Sequence, residues 1–224
     1  MALGIATTSE VTGDILPRIE YDAKAGRAFR VDRTQDSNEE WITYRPEMPL
    51  PLTFLMDLEH IEVGWIKLDK VAGVDFKMVY IDGDMGPRPP GVNDKGQPLY
   101  KQGFRVKVYS QKLFGGVRVW AHTAKCVIQQ IDMLHNQFMA ALAQNAGKVP
   151  VVTIGSVMSV KSGQSTNYAP VISLDKWSTR PDGLSVPNKP AVVKATLAPV
   201  SAGSTVVAPP PAAAAAKIEA PEEF

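Results

Sequence analysis

The sequence predicts a mainly β domain with one helix, followed by a disordered tail, and three observations carry that prediction. Short segments alternate apolar and polar residues at strand period, and one stretch from about Thr123 to Asn145 repeats apolar residues at helical period. From Ser185 onward the composition turns to Pro, Ala, Val and Ser. With 224 residues, 45% hydrophobic and 21% charged, the chain has material for one sizeable core.

Residues 1–24 are weakly patterned, interrupted by Gly4, Gly13 and Pro17, and read as an N-terminal arm or a short edge element. The domain is expected over 25–184. Within it Phe54 to Leu68 alternates, and Gly64 marks a bulge or bend where a strand curls. Asp75 to Ile81 is a second strand. The segment DGDMGPRPPGVNDKGQP that follows is too rich in Gly and Pro for regular structure, and so long a loop is usually functional or mobile.

Tyr100 to Ser110 alternates clearly, and VRVWA alternates again, so the two pair as a hairpin closed near Gly115 and Gly116. In the helix, Val127, Ile131, Leu134, Phe138 and Leu142 form one stripe, widened by Ile128, and Gly147 supplies the stop. Two strands close the domain, roughly Val151 to Val160 and Tyr168 to Trp177. Strands, one helix and two further strands match a five-stranded Greek-key barrel of the OB type, an architecture that commonly binds oligonucleotides on one face.

Residues 185–224 bury too little to offset their ordering entropy. Ala212 to Ala216 could start a helical turn, but Pro209, Pro210 and Pro211 precede it and Pro221 follows. The segment reads as a disordered tether with an acidic tip.

With 24 Lys and Arg against 23 Asp and Glu, the net charge of +1 excludes a uniformly basic protein. Cys126 is the only cysteine, which excludes an internal disulfide and any zinc site built from several thiolates. The N-terminus lacks a basic start followed by an apolar run, and no stretch has the length of a membrane span, so a soluble cytoplasmic protein is expected.

In the hairpin, Arg105, Lys107 and Tyr109 share the face opposite Phe104, Val106 and Val108, because side chains alternate along a strand. Placing Val117 and Val119 toward the core adds Arg118 and Trp120 to that outer face. Cations that follow phosphates and flat rings that stack on bases are what sequence-tolerant binding of single strands needs. Arg88 and Lys95 in the long loop, and Lys101 just beyond it, extend the same surface. The plain alternative is a solvated strand face with Tyr109 and Trp120 partly in the core. Trp41, Trp65 and Trp177 fit either core or rim.

Catalysis finds little support. His60, His122 and His135 are too far apart in sequence for a helical metal pair. His122 and Cys126 are better read as a capping imidazole beside a core thiol. Asp82 and Asp84 fall short of a full oxygen-ligand loop. No cofactor or metal is expected.

The chain ends in IEAPEEF. A β-barrel followed by a Pro/Ala-rich linker and an acidic tip ending in Phe224 resembles bacterial and phage replication single-stranded DNA-binding proteins. The resemblance lies in the layout and the tail. It implies that Glu219, Glu222, Glu223 and Phe224 dock replication or recombination proteins while the barrel coats DNA, in the host cytoplasm for a phage protein. The chain is therefore expected to bind single-stranded DNA without sequence preference in replication or recombination. The alternative is a virion or other structural assembly protein with a β-domain and flexible tail. A third reading, a metal-dependent nucleotide hydrolase on Asp82 and Asp84, has no base or nucleophile to accompany it.

Overall fold

The computed structural model describes residues 17–35, 37, 40–69 and 73–184. The chain divides into Met1–Pro187 and Asn188–Phe224, and the second unit, with the expected tail and its tip, lies outside the described residues.

The first unit is mainly β with one main helix, and its strands form one eleven-stranded network. In chain order these are β1 Arg18–Asp22, β2 Arg27–Gln35, β3 Trp41–Tyr44, β4 Glu47–Met48, β5 Leu52–Met56, β6 Glu62–Asp69, β7 Gly73–Tyr80 and β8 Tyr100–Ser110. A four-residue helix, α1 Gln111–Phe114, leads into β9 Gly116–His122. The long helix α2 Lys125–Leu142 then precedes β10 Lys148–Ser162 and β11 Ser165–Thr179. Among the described residues no helix is long and apolar enough to cross a membrane.

The main path runs β11-β10-β5-β8-β9-β1-β2-β3, with the β6–β7 hairpin joined to β8. This is an open sheet of many strands, and the expected count of five falls short for identifiable reasons. Phe54 to Leu68 is two strands, because the chain turns through a short 3-10 segment at Leu58–His60. There Asp57 leaves β5 by donating its N–H to Lys107 O at 2.9 Å. Residues 18–22, assigned to the arm, form β1, which pairs antiparallel with β2 and parallel with β9 and so lies inside the sheet. The β11 end of the sheet comes back to β1 and the turn after it: Tyr168 N–H donates to Ala23 O at 2.7 Å, and the Tyr21 hydroxyl donates to Tyr168 O at 2.9 Å.

Gly64 and Gly103 are cross-strand partners on β6 and β8. A Cβ at Gly64 would lie 2.1 Å from Lys77 O, and one at Gly103 would lie 2.5 Å from His122 O. Neighbouring backbone occupies the space of both side chains, so only glycine fits this close approach.

The core lies between the inner sheet face and α2. Val127, Ile131, Leu134 and Phe138 of the helix are buried, with Leu142 half-buried at its end. Phe138 stacks on Trp177 of β11 at 5.5 Å between centroids. Trp120, fully buried, stands edge-on to Phe54 and Phe104. Phe138→Ala is expected to cost about 3–5 kcal/mol by removing a large buried ring. Urea unfolding checks this, and a loss below about 1 kcal/mol would show that the helix is not anchored there.

His122 enters the core in a fixed tautomer. Its Nε2 lies 2.9 Å from Tyr21 O, which can only accept, and its Nδ1 lies 2.9 Å from the Ala124 N–H, which can only donate. Burial, outweighing the bond to Tyr21 O, lowers the pKa below its ordinary value of 6.5. The unfolded chain therefore binds more protons, and stability falls as pH drops through about 6.5 toward the folded value. His135, also lowered by burial, adds to the same slope. Melting temperatures between pH 8 and 5 should decline below 6.5, less steeply in His122→Gln; equal slopes would remove His122 as a cause.

Candidate nucleic-acid interface

The outer face is set by the register of β8 and β9. Val106 pairs with Trp120, and Val108 with Arg118. Directly paired residues share a face, so the two residues of β9 follow the two valines into the core. Trp120 is 0% and Arg118 5% exposed. The expectation that both join the outer row is therefore corrected; Val117 and Val119 take the outward phase instead. The cause is the connection, which runs through α1 and pairs Ser110 with Gly116.

Buried Arg118 is satisfied by its surroundings. Its Nε and Nη2 donate to Phe114 O at 3.2 and 2.9 Å, and its Nη1 donates to Val31 O at 3.1 Å. Nη2 also meets Asp32 Oδ1 at 2.5 Å. It clamps α1 against β2, and being itself buried it cannot leave for a ligand without breaking these contacts.

On β8 the expected row is present: Phe104, Val106 and Val108 are buried, whereas Arg105, Lys107 and Tyr109 are half-exposed and Lys101 is exposed. Arg105 is held in place. Its Nη2 donates to Glu62 Oε1 at 2.9 Å, its Nε donates to Glu62 Oε2, and the guanidinium lies 5.1 Å from the centroid of Phe76. Phe76 and Tyr80 on β7 share this face through Ile66 and Glu62 of β6, and the latter pairs with Arg105. Arg18 also joins it, because Lys107 pairs with Val119 and Val119 with Arg18. Two strand spacings, about 10 Å, separate Lys107 from Arg18. Sequence reading missed Phe76, Tyr80 and Arg18; strand period marks which side chains alternate, but not which strands are neighbours.

The Tyr109 end of this face is covered. A Cβ on Gly183 would lie 3.0 Å from Val117 and 3.5 Å from the Tyr109 ring, and the next residue, Leu184, is fully buried. Arg180 fastens this segment: Nη1 lies 3.0 Å from Asp57 Oδ2 and 3.2 Å from Leu184 O, and Nη2 lies 2.7 Å from Glu59 Oε2. His60 Nδ1 approaches Asp57 Oδ1 at 3.0 Å. Asp57, Glu59 and His60 come within 4.8 Å of one another, as a metal site would require. The Arg180 guanidinium already pairs with both carboxylates.

Arg88 belongs elsewhere. It lies 5.0 Å from the centroid of Trp65, whose indole N–H donates to Gly86 O at 3.3 Å. Trp65 alternates with Gly64 and Ile66 on β6, so this contact falls on the other side of the hairpin from Arg105. Nearby, the Tyr100 hydroxyl donates to Asp75, holding that carboxyl below its ordinary range and the phenol above its own. The structure thus brings together Lys101, Arg105, Lys107 and Tyr109, buries Arg118 and Trp120, and sets Arg88 apart. Glu222, Glu223 and Phe224 lie outside the described residues.

The other candidates for chemistry have structural partners. Asp84 Oδ1 accepts the Gly86 N–H at 2.9 Å, closing a turn. Both ring nitrogens of His122 are engaged, and Cys126 is a buried free thiol. No family model, curated protein or solved structure matches the chain.

Arg180→Ala would leave Asp57, 2% exposed, with His60 alone, and is expected to cost roughly 3 kcal/mol as a broken buried pair. Chemical denaturation reads this directly. A change under about 0.5 kcal/mol would show that solvent already screens the clasp.

Proposed function

We propose that this chain binds single-stranded nucleic acid, DNA during replication or recombination, without base preference and without catalysis. One observation carries the reading: Lys101, Arg105 and Lys107 follow one another along β8, with Arg18 beside them, next to the half-exposed rings of Phe76, Tyr80 and Tyr109. Cations spaced along a strand can track phosphates, and half-exposed rings can stack on bases. This is the logic of an OB-type binding face, carried by a sheet of more strands. The tail, through Glu222, Glu223 and Phe224, recruits replication or recombination proteins. Within the sequence-wide near-neutrality, Lys101 and Lys107 make no ion pair among the described residues, whereas Arg105 is balanced by Glu62.

A second reading, a structural assembly protein, is favoured by a different feature. Beyond the residues of β10 that pair with β5, the β10–β11 hairpin carries exposed Val157, Met158 and Val171. Such side chains suit packing between copies.

Titration of labelled oligothymidylate at two salt concentrations separates the two readings. Binding should weaken steeply with salt, by about 0.7 in slope per phosphate contact, and Lys101→Ala with Lys107→Ala should lower the slope by about 1.4. A chain ending at Pro187 should bind within tenfold of the full chain. Large homo-oligomers in sedimentation, indifferent to oligonucleotide, would favour assembly instead. An unchanged slope in the folded double variant would remove this face from the site.

A further inference from the structure

A second place in the domain combines a cation, an exposed ring and an apolar hollow. The β2–β3 hairpin pairs Asp32 with Tyr44 and Arg33 with Thr43. Tyr44 is 59% exposed, much more than a ring kept for packing requires. Beside it opens a cavity of about 330 Å³ whose walls include Arg30, Tyr44, Met48, Pro49, Pro51 and Leu113. That volume lies at the lower end of the range for small-molecule sites, about 300–1,000 Å³. It suits one flat group with a short polar extension better than a folded segment.

The charges around it leave a positive excess. Asp32 is shared by two arginines: Oδ1 meets Arg118 at 2.5 Å, and Oδ2 lies 2.9 Å from Arg30 Nε. The second contact is one of charge only, since Arg30 Nε makes no directed hydrogen bond. The donors of Arg118 are otherwise taken by Phe114 O and Val31 O. Glu47, also at the cavity, is balanced by Arg27 at 3.2 Å. Arg27, Arg30 and Arg118 against Asp32 and Glu47 leave one positive charge, and Arg30, unlike Arg118, has an accessible side chain. A ligand that pairs a flat ring with an anion answers each feature: the ring lies against Tyr44 and the prolines, and the anion meets Arg30.

We propose that this hollow is a subsite for one nucleotide of a bound single strand, its base stacked on Tyr44 and its phosphate held by Arg30. The proposal rests on the single-strand reading above and adds to it a place where one base is held. Arg30 pairs with Ile19 and Tyr44 with Asp32, so the hollow opens on the face opposite Arg18 and the β8 row, and a strand that reaches both passes around the β3 end of the sheet. The base contact is stacking, so the subsite tolerates any base.

The full chain is irradiated with oligothymidylate bearing 5-iodouracil, and the cross-linked peptides are identified by mass spectrometry. Affinities of Tyr44→Ala, Tyr44→Phe and Arg30→Ala are measured by anisotropy, with circular dichroism confirming that each variant is folded. A cross-link at Tyr44 is expected, with about tenfold weaker binding by Tyr44→Ala, near-normal binding by Tyr44→Phe, and a flatter salt dependence for Arg30→Ala. If the chain binds but cross-links only elsewhere, and Tyr44→Ala and Arg30→Ala bind as the parent does, the subsite is refuted while the single-strand reading stands. If the parent does not bind oligonucleotide at all, that reading fails and the subsite falls with it.

Discussion

The pairing of Val106 with Trp120 is the contact on which the rest of this domain depends. It places the largest aromatic side chain on the inner face, where Phe54 and Phe104 meet it edge-on. The same register carries Arg118 inward. A guanidinium cannot be buried unpaired, so its surroundings must supply acceptors. They do so from three residues on two elements: Phe114 at the end of α1, and Val31 and the Asp32 carboxylate on β2. One pairing choice thus ties the α1 turn to a strand that pairs neither with β8 nor with β9, and it spends half of Asp32 in doing so. Arg30 is left under-compensated as a consequence, because the carboxylate it shares is already held by a buried cation.

That register also decides how much of the fold could be read from the residues. Alternation in Tyr100–Ser110 correctly separates Phe104, Val106 and Val108 from Arg105, Lys107 and Tyr109. The helix stripe is equally plain, since Val127, Ile131, Leu134 and Phe138 are all buried. Alternation within β9 is just as clear, yet its phase relative to β8 depends on the connection. A one-residue change in pairing turns every side chain to the opposite face. A turn at Gly115 and Gly116 looks sufficient in the sequence, but the chain spends Gln111–Phe114 on a helical turn, capped when the Ser110 hydroxyl accepts the Leu113 N–H at 3.2 Å. Valine facing inward was the better guess from hydrophobicity alone. It lost because Trp120 buries more apolar surface than either valine, and Arg118 found partners that no local pattern announces.

Strand neighbours were illegible for a related reason. β1 follows an unpatterned segment and contributes few residues of its own, but it lies between β2 and β9, so its place comes from partners distant in sequence. The β6–β7 hairpin brings Phe76 and Tyr80 beside Arg105 only because Gly64 and Gly103 let the backbones approach at the bend. The glycine in β6 marks a bend in the sequence; nothing in the sequence marks the strand it bends toward. Conversely, Arg88 looked like part of one cationic surface with Lys101, although its guanidinium is committed to the Trp65 ring.

Electrostatics then distinguishes structural cations from those that can serve a ligand. Arg180 is bound to two carboxylates, Arg118 to a carboxylate and two carbonyls, and Arg105 to one carboxylate and a ring. A phosphate would have to displace a partner from each, and the buried ones would leave an uncompensated charge behind. Lys101 and Lys107 face no such competition among the described residues, and an ammonium on a flexible stem can follow a mobile backbone. The near-zero total charge is thus compatible with an attractive surface. Many of the arginines are engaged in holding the sheet together, whereas Lys101 and Lys107 are among the lysines that make no ion pair among the described residues. In such an arrangement the long-range pull on a polyanion is weak and affinity must come from contact: bases laid on rings, with phosphates meeting cations one at a time.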